Sequence, residues 1–449
     1  MSESILSQRT KVLQSFFQGY EGPPFSIRLW DGWRWQSPAK GEPACTIVFH
    51  SEHALRALVV HPSELSLGEA FLSKDIDVEG DLFSVFAVTE HIFQCPRSQR
   101  RRLVEFISGI FSTIDQWWKQ GKRHSTERDR IAISHHYDQP VGFYKPWLGE
   151  SLAYSCAYFQ SAADSIDVAQ SNKFELICRK LRLQPGDHFL DIGCGWGSLI
   201  LHAASEHHVC AHGITLSREQ AAVGAARIEE ARLTHCCDVE LLDYRKALSQ
   251  PLTFDKIASV GMFEHVGLKN LPLYFRTVYR LLKPGGVFLN HGIARSPLFR
   301  NLDSSFLDRS IVPFLRDVLM FSPPPSASYI GKYVFPDGEL VTISQALQVA
   351  ESAGFEVRDV ENLREHYELT LRRWIEALQG NADALLSQVS ETTYRTWLLY
   401  LAGSAAAFRR GDIAVYQVLL CRPNQGDSEL PLRREDWYLS STFGQHVQG

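Results

Sequence analysis

The run Leu190-Asp191-Ile192-Gly193-Cys194-Gly195-Trp196-Gly197 constrains this chain more than any other segment. It falls between an apolar strand pattern at 188–192 and a helical pattern at 197–205. Glycines at such a junction let the backbone approach a ligand closely, and they permit positive φ. The spacing is G-x-G-x-G, which differs from the G-x-G-x-x-G of dinucleotide folds. Asp191 stands two positions before the first glycine. A carboxylate there attracts a cation and repels a pyrophosphate. The loop therefore favours S-adenosylmethionine, which carries a sulfonium and an ammonium, over a nicotinamide cofactor.

The loop lies in a region that alternates helix and strand. Helical spacing covers 168–181, 218–231 and 271–282, and strand patterns cover 188–192, 209–215, 239–242, 256–260 and 287–290. Pro284-Gly285-Gly286 reads as a helix stop. A helix at 343–353 and strands at 355–360 and 413–421 follow. This β-α-β alternation predicts an α/β fold, a Rossmann-like doubly wound parallel sheet covered on both faces. The start of the chain reads differently. Phe25, Ile27 and Leu29 alternate with polar residues, Asp31-Gly32 offers a turn, 46–49 reads as a strand and 53–60 as a helix. Residues 66–71 then lead into 76–81. The pattern predicts a smaller α+β domain over 1–124, a polar linker around 119–130 and a catalytic domain over 125–449.

Composition narrows the function. The 46 basic and 51 acidic residues give a net charge of -5, which argues against a general nucleic-acid binder. Nine cysteines, an odd number with no CxxC pair, argue against a disulfide framework or a zinc site, so no metal is expected. The first residues lack a signal-peptide apolar stretch, and no apolar run is long enough to span a bilayer. A cytoplasmic location with membrane contact only at the surface is expected. Arg97, Arg100, Arg101 and Arg102 upstream of Trp117-Trp118 suit an anionic lipid surface, although the same pattern fits a solvated helix with its tryptophans packed inward.

Two further strand ends carry candidate cofactor contacts. The second strand ends Thr215-Leu216-Ser217, and with Glu219 and Gln220 it offers polar groups for ribose hydroxyls. The third ends Asp243-Tyr244, which places a carboxylate to accept from an adenine amino group and a ring to stack beside it.

With segments elsewhere, these residues resemble the cyclopropane-fatty-acid synthase family of S-adenosylmethionine-dependent methyltransferases. The segments are Tyr154-Ser155-Cys156-Ala157-Tyr158-Phe159, the loop at 190–197, Thr215 to Gln220, Asp243-Tyr244-Arg245, Gly261 to Gly267 with its Phe-Glu264-His-Val core, and His291-Gly292-Ile293. Tyr329 to Gly338, Tyr367 to Thr370 and Phe408 to Asp412 also match. The N-terminal LSLGEAF and DIDVEGDL resemble the accessory domain of the bacterial enzymes.

The resemblance implies a class I methyltransferase fold with a lipid-binding-like N-terminal domain, acting as a homodimer. It implies peripheral contact with the inner face of the cell membrane. It also implies an unsaturated phospholipid substrate whose cis double bond receives a methylene from S-adenosylmethionine, with a carbocation deprotonated by bound bicarbonate. The implied bicarbonate site comprises the Glu264, His291 and Tyr367 side chains with backbone groups of Cys156 and Ile293. The implied cofactor site comprises Tyr154, Ser155, Asp191, Gly193, Gly195, Gly197, Thr215, Leu216, Gln220, Asp243 and Tyr244. Read singly, Glu264 could cap the next helix, His291 could be a core histidine, Tyr367 could lie on a packed amphipathic helix, and Cys156 could be a small buried residue.

The chain departs from the family pattern twice. Gln139-Pro140-Val141-Gly142 follows His136-Tyr137-Asp138 where the family carries an Asn and an acidic residue, although Phe143-Tyr144 is kept. An insertion near 296–328 has Leu307, Ile311, Leu315 and Leu319 at every fourth position, the spacing of an amphipathic helix. Three alternatives stay open: a methyl- or methylene-branching fatty-acyl C-methyltransferase, a small-molecule N- or C-methyltransferase, and a non-catalytic lipid-binding relative.

Overall fold

The computed structural model describes residues 13–14, 17–51, 64–94, 140–249, 252–296, 329, 333–334 and 339–438. The expected helix at 53–60, the basic and tryptophan stretch at 97–118, the linker at 119–130, the His136-Tyr137-Asp138 motif and the insertion beyond Ser296 lie outside the described residues. The chain forms two compact units. The first draws on Met1–Gly121, Asp317–Pro336 and Val389–Ala406, and the second on Lys122–Arg316, Asp337–Gln388 and Ala407–Gly449.

In the first unit, Phe25 and Ile27 alternate inward along β1 (Phe25–Arg28). The Asp31-Gly32 turn forms as expected. Gly32 adopts φ 83°, and the Trp33 N–H donates to Asp31 Oδ1 at 3.1 Å. The chain returns as β2 (Arg34–Gln36); β3 (Cys45–Phe49) runs parallel to β1, and β4 (Ile76–Gly80) antiparallel to β3. The sheet order is β2-β1-β3-β4, with α1 (Glu64–Leu72) and α2 (Leu82–Gln94) completing an α+β unit. Phe17, Phe25, Trp35 and Phe49 pack at its centre. The late helix Glu391–Arg410 supplies Arg395 to this unit, an input from far along the chain that the linear reading did not contain. Arg395 donates to the Phe71 and Ile76 carbonyls at 2.7 and 3.2 Å and to Asp77 Oδ1 at 2.6 Å.

In the second unit, α3 (Val141–Leu148) and α4 (Ile166–Leu181) precede β5 (His188–Ile192). Then follow α5 (Ser198–His207), β6 (Cys210–Thr215), α6 (Arg218–Glu230), β7 (Cys237–Leu241), β8 (Phe254–Val260), α7 (Leu271–Leu281) and β9 (Leu282–Arg295). The last elements are α8 (Ile343–Ser352), β10 (Glu356–Asn362), α9 (Arg364–Gly380), α10 (Ala382–Leu386), α11 (Glu391–Arg410, mostly in the first unit) and β11 (Ile413–Cys421).

The seven strands are ordered β10-β11-β9-β8-β5-β6-β7. From β7 across to β9 all pairings are parallel, as the β-α-β alternation predicts. β11 pairs antiparallel with both β9 and β10, so the sheet is parallel-dominated rather than wholly parallel. Both faces are covered. Leu190, Ile192, Ile257 and Phe288 pack on the side of α7 and α8, while Phe189, Ala258, Val287 and Leu289 pack on the side of α4 and α5. β9 is longer than the expected 287–290 and runs through Pro284-Gly285-Gly286. The Gly285 N–H donates to the Arg422 carbonyl at 2.8 Å, and the Arg422 N–H to the Gly286 carbonyl at 3.0 Å. This cross-strand pairing continues the strand past residues that locally favour a break.

Chain order fixes where a ligand can bind. From β5 the chain winds outward through β6 and β7, then returns to place β8 on the other side of β5. A crevice opens at such a switch point, outside the carboxyl ends of the strands.

Candidate active site

A cleft of about 1160 Å³, its open mouth included, lies at that switch point. Its walls come from the ends of β5, β6 and β8, from the Leu152–Ser155 segment and from α4. The glycine loop forms the floor. Gly193 and Cys194 both donate N–H to the Ile214 carbonyl, at 2.9 and 3.0 Å, which ties the loop to the end of β6. Gly193, Gly195 and Gly197 adopt φ of 85°, 56° and 82°. A Cβ on Gly193 would meet Met262 Cβ at 2.9 Å, whereas one on Gly195 would meet nothing within 4 Å. Gly195 is thus the place where a ligand can lie against bare backbone. Gly197 does not line the cleft; it serves as the N-cap position of α5 and packs near Gly224.

Tyr154, Ser155, Asp191, Gly193, Gly195, Thr215, Leu216, Gln220 and Tyr244 line the cleft, as the sequence anticipates. Asp191 is 2% exposed, and its Oδ1 has no partner among the described residues. The Trp196 Nε1 is another buried polar atom at this wall without a partner among the described residues. Thr215 Oγ1 donates to Gln220 Oε1 at 2.7 Å, and Ser217 Oγ accepts the Gln220 N–H at 3.3 Å, so one network both caps α6 and faces the cleft. Glu219 points elsewhere and accepts the Val141 N–H at 3.1 Å, at the start of α3. Asp243 stands outside the lining. Arg245, two residues on, donates to both of its oxygens, at 2.9 Å to Oδ1 and 2.7 Å to Oδ2.

Sequence reading missed Lys173, Met262 and His265, which also line the cleft. Lys173 is 1% exposed and donates to Ser155 Oγ at 2.8 Å. Burial pushes its ammonium well below the usual lysine range and pushes the Asp191 carboxyl well above its own; each charge partly offsets the other's shift. The signal was present: Ala169, Lys173 and Ile177 form one stripe of α4, and its other two members are buried apolar residues. Gln170 donates to the Ala153 and Ser155 carbonyls at 3.1 and 3.0 Å, holding Tyr154 and Ser155 in place.

A second polar group gathers at the ends of β8 and β9. The Gly261 N–H donates to the His291 carbonyl at 2.9 Å, and the chain then makes a single turn, Phe263–His265. Glu264 Oε1 accepts the Ile293 N–H at 2.7 Å, so that backbone donor is engaged by Glu264, and Glu264 does not cap α7. Glu264 Oε2 is buried with no partner among the described residues, and burial raises its carboxyl from 4.5 to about 7. His291 is 1% exposed, and its Nε2 is also buried and without a partner among the described residues. His291 and Ile293 are two residues apart on β9 and so share a face.

Cys156 is fully buried, with its thiol toward the Ala157 and Leu363 carbonyls at 3.3 and 3.8 Å. Tyr367 lies on α9, with its ring 4.6 Å from Phe408, and its N–H donates to the same Leu363 carbonyl at 3.1 Å. Leu363 in turn donates to the Val415 carbonyl, and Val415 is the β11 neighbour of Ile293. Backbone contacts thus link the Cys156, Tyr367 and Ile293 positions.

Among the described residues, Cys178, His202 and His207 place possible metal-ligand atoms within 4.8 Å of one another. Both imidazoles already meet Glu175 Oε2, at 3.3 and 3.0 Å, and Cys178 belongs to the apolar core. The group works as a carboxylate–imidazole clamp between α4 and α5. No helix among the described residues is long and apolar enough to cross a membrane.

The family profile of mycolic acid cyclopropane synthetase matches residues 124–418, and a domain of unknown function matches residues 12–96. A probable fatty acid methyltransferase of Pseudomonas putida is 38% identical over 435 residues, which is 97% of this chain and 100% of that protein. The cyclopropane-fatty-acyl-phospholipid synthase of Escherichia coli (strain K12) is 37% identical over 298 residues, 66% of this chain and 69% of that protein. Among solved structures, a mycolic acid cyclopropane synthase complexed with SAH and CTAB has 32% identity and a TM-score of 0.57, covering 65% of this chain and 97% of that one. The cleft at the β5 switch point, its glycine loop and the extent of these matches give one conclusion: the chain belongs to the cyclopropane synthase family and is an S-adenosylmethionine-dependent methyltransferase.

Proposed function

We propose that the enzyme converts a cis double bond in an unsaturated phospholipid acyl chain into a cyclopropane, with bicarbonate as the base. The observation that carries this reading is the pair of buried polar atoms, Glu264 Oε2 and His291 Nε2, at the ends of adjacent strands and without a partner among the described residues. A buried polar atom left unpaired costs about 1–3 kcal/mol, so a site that keeps two of them fits a small ligand with several oxygens. S-adenosylmethionine supplies the methyl group, and bicarbonate supplies a base.

The chain's own residues bind and orient. Asp191 offers a carboxylate oxygen to a cationic ligand, and Gly195 lets that ligand lie against the backbone. An alkene is a weak nucleophile, so holding it close to the methyl donor is the main service the protein can render. Glu264, His291 and Tyr367, with the backbone at Cys156, would hold the anion. The Ile293 N–H fixes the Glu264 carboxylate in place. Phe408 and Trp374 flank Tyr367 and keep water from that side, which strengthens each polar contact. The first unit would present the lipid surface, with peripheral membrane contact.

The test is incubation with vesicles of mixed unsaturated phospholipids and methyl-labelled S-adenosylmethionine. Fatty acids should gain one labelled CH2 per converted double bond, with ring protons visible by NMR. Labelled branched chains without a ring would favour the second reading, a fatty-acyl C-methyltransferase, which the similarity to the probable fatty acid methyltransferase of Pseudomonas putida supports. Label on a soluble amine and none on lipid would overturn both.

A further inference from the structure

Lys180, in the last turn of α4, is fully buried and, although it precedes the cofactor loop closely in sequence, is absent from the cleft lining. Its ammonium pairs with Glu361 on β10 and has Asp359 Oδ2 at 3.7 Å. It also donates to Gln417 Oε1 at 2.8 Å. Gln417 is 1% exposed and sits on β11 in register with His291 on β9. Its Nε2 lies 3.3 Å from His291 Nδ1.

Donor counting settles the direction of each bond. An ammonium has three donors and no acceptor, so the arm of the Gln417 amide facing Lys180 must be the carbonyl oxygen. The other arm is then the NH2, which can only donate, and His291 Nδ1 must accept. Burial foremost, then the positive charges of Lys173 and Lys180, pushes His291 down to about 3, so the ring is neutral at ordinary pH. A neutral imidazole carries one N–H, and with Nδ1 accepting, that proton is on Nε2. Nε2 is the buried atom with no partner among the described residues.

We infer that Lys180 and Gln417 are positioning residues that hold His291 as its Nε2–H tautomer, so that the ring presents a hydrogen-bond donor to an oxyanion held beside Glu264. The inference rests on the anion reading above. The relay explains why a lysine is kept in the core. Its charge is balanced by Glu361 and Asp359, and its directionality passes through one amide to the imidazole. Gln417 and Lys180 touch neither substrate nor cofactor; they act through His291.

The experiment uses the full chain labelled with 15N-histidine. His291→Asn identifies the His291 signal among the 17 histidines. Wild type is expected to show the proton on Nε2 and a bare Nδ1. Gln417→Glu keeps the shape but offers only acceptors, so Lys180 and His291 Nδ1 both donate to it and Nε2 becomes a bare lone pair. Turnover on vesicles should fall by about 10²–10³-fold, the usual effect of losing one oxyanion donor, with S-adenosylmethionine affinity unchanged in calorimetry. Gln417→Met, which fills the same space without polar groups, leaves Nδ1 without a donor, so the His291 signal should shift to a mixture of both tautomers and turnover should fall less than in Gln417→Glu.

A merely structural role would lower the melting temperature and turnover of both variants together and leave the His291 signal unmoved. A proton on Nδ1 in wild type, or a signal still on Nε2 in Gln417→Glu, overturns the inference. Should Gln417→Glu fail to fold, the wild-type spectrum decides alone. If the proton is on Nε2 yet carbonate-stripped wild type runs at full rate, the anion reading falls and the tautomer assignment stands.

Discussion

Glu264→Gln separates catalysis from stability with one atom. The Ile293 N–H, at 2.7 Å from Oε1, needs an acceptor, so the glutamine carbonyl must take that place. The NH2 then occupies the position of Oε2, where the wild-type carboxylate offers an acceptor. An anion seated there meets a donor in a new direction, and losing one well-placed polar contact in such a site costs about 2.7–4 kcal/mol of barrier, or 10²–10³ in kcat. Stability should move the other way. Burial raises the folded-state carboxyl from 4.5 to about 7, so the folded form retains a proton that the unfolded form has lost. Stability is full below pH 4.5, declines as pH rises, and by pH 7 and above has lost about 3 kcal/mol at about 1.4 kcal/mol per pH unit. Glutamine has no such titration. The variant should therefore melt progressively higher than wild type as pH is raised from about 5 to 8, while its turnover on vesicles collapses and its S-adenosylmethionine affinity stays. A variant with near wild-type kcat would refute the orienting role. A melting difference that is flat with pH would refute the buried, proton-holding carboxyl.

Gly195→Ala should fold, at a cost of about 1–2 kcal/mol for a left-handed alanine, yet bind S-adenosylmethionine far more weakly in calorimetry. Gly193→Ala should lose folded protein outright, since its Cβ would sit 2.9 Å from Met262 Cβ; equal behaviour of the two would show that the loop is only structural. Hydrogen bonds from His202 and His207 hold the Glu175 carboxyl well below its usual 4.5, so it contributes stability that is present above that pH and lost as pH falls. The melting gap between wild type and Glu175→Gln should accordingly narrow on acidification, and a gap constant with pH would exclude the clamp. Arg395→Met strips donors from two backbone carbonyls and Asp77, and should destabilise the first unit by about 3 kcal/mol in urea unfolding followed by tryptophan fluorescence; a loss too small to measure would show that Arg395 is dispensable there.

Much of the second unit was legible because alternation of apolar helix and strand patterns is a local property. β5, β6, β8 and β11 fall within two residues of their expected limits. β9 was underestimated because Pro284-Gly285-Gly286 looks like a break until β11 supplies cross-strand partners. The sequence offers an amphipathic helix at Tyr367 but not the extent of α9, where Leu371, Trp374, Ile375 and Leu378 mark a buried stripe, and it does not mark α11. At the site, the cleft positions of Asp191, Gly193 and Gly195 were legible because a ligand loop is contiguous in sequence, whereas Gly197 caps α5 instead. Asp243 lies outside the cleft lining, and the hold of Arg245, two residues on, over both of its oxygens is not visible in a strand-end pattern.

The residues that escaped reading share a physical cause. Lys180 means nothing until Gln417 is placed beside it from 237 positions away, and Gln417 means nothing until His291 is placed 126 positions away. Sequence pattern reports periodicity and local turn chemistry, whereas hydrogen-bond direction is a property of who faces whom. A buried lysine is costly unless its three donors are matched, so its presence on an otherwise apolar helix stripe says that partners exist without saying which. The sheet answers that question. The antiparallel entry of β11 between β9 and β10 brings an amide against the imidazole on one side and lets α4 reach it from above the strands. The one strand that departs from the expected parallel order is thus the strand that carries Gln417, the residue through which the core orients His291.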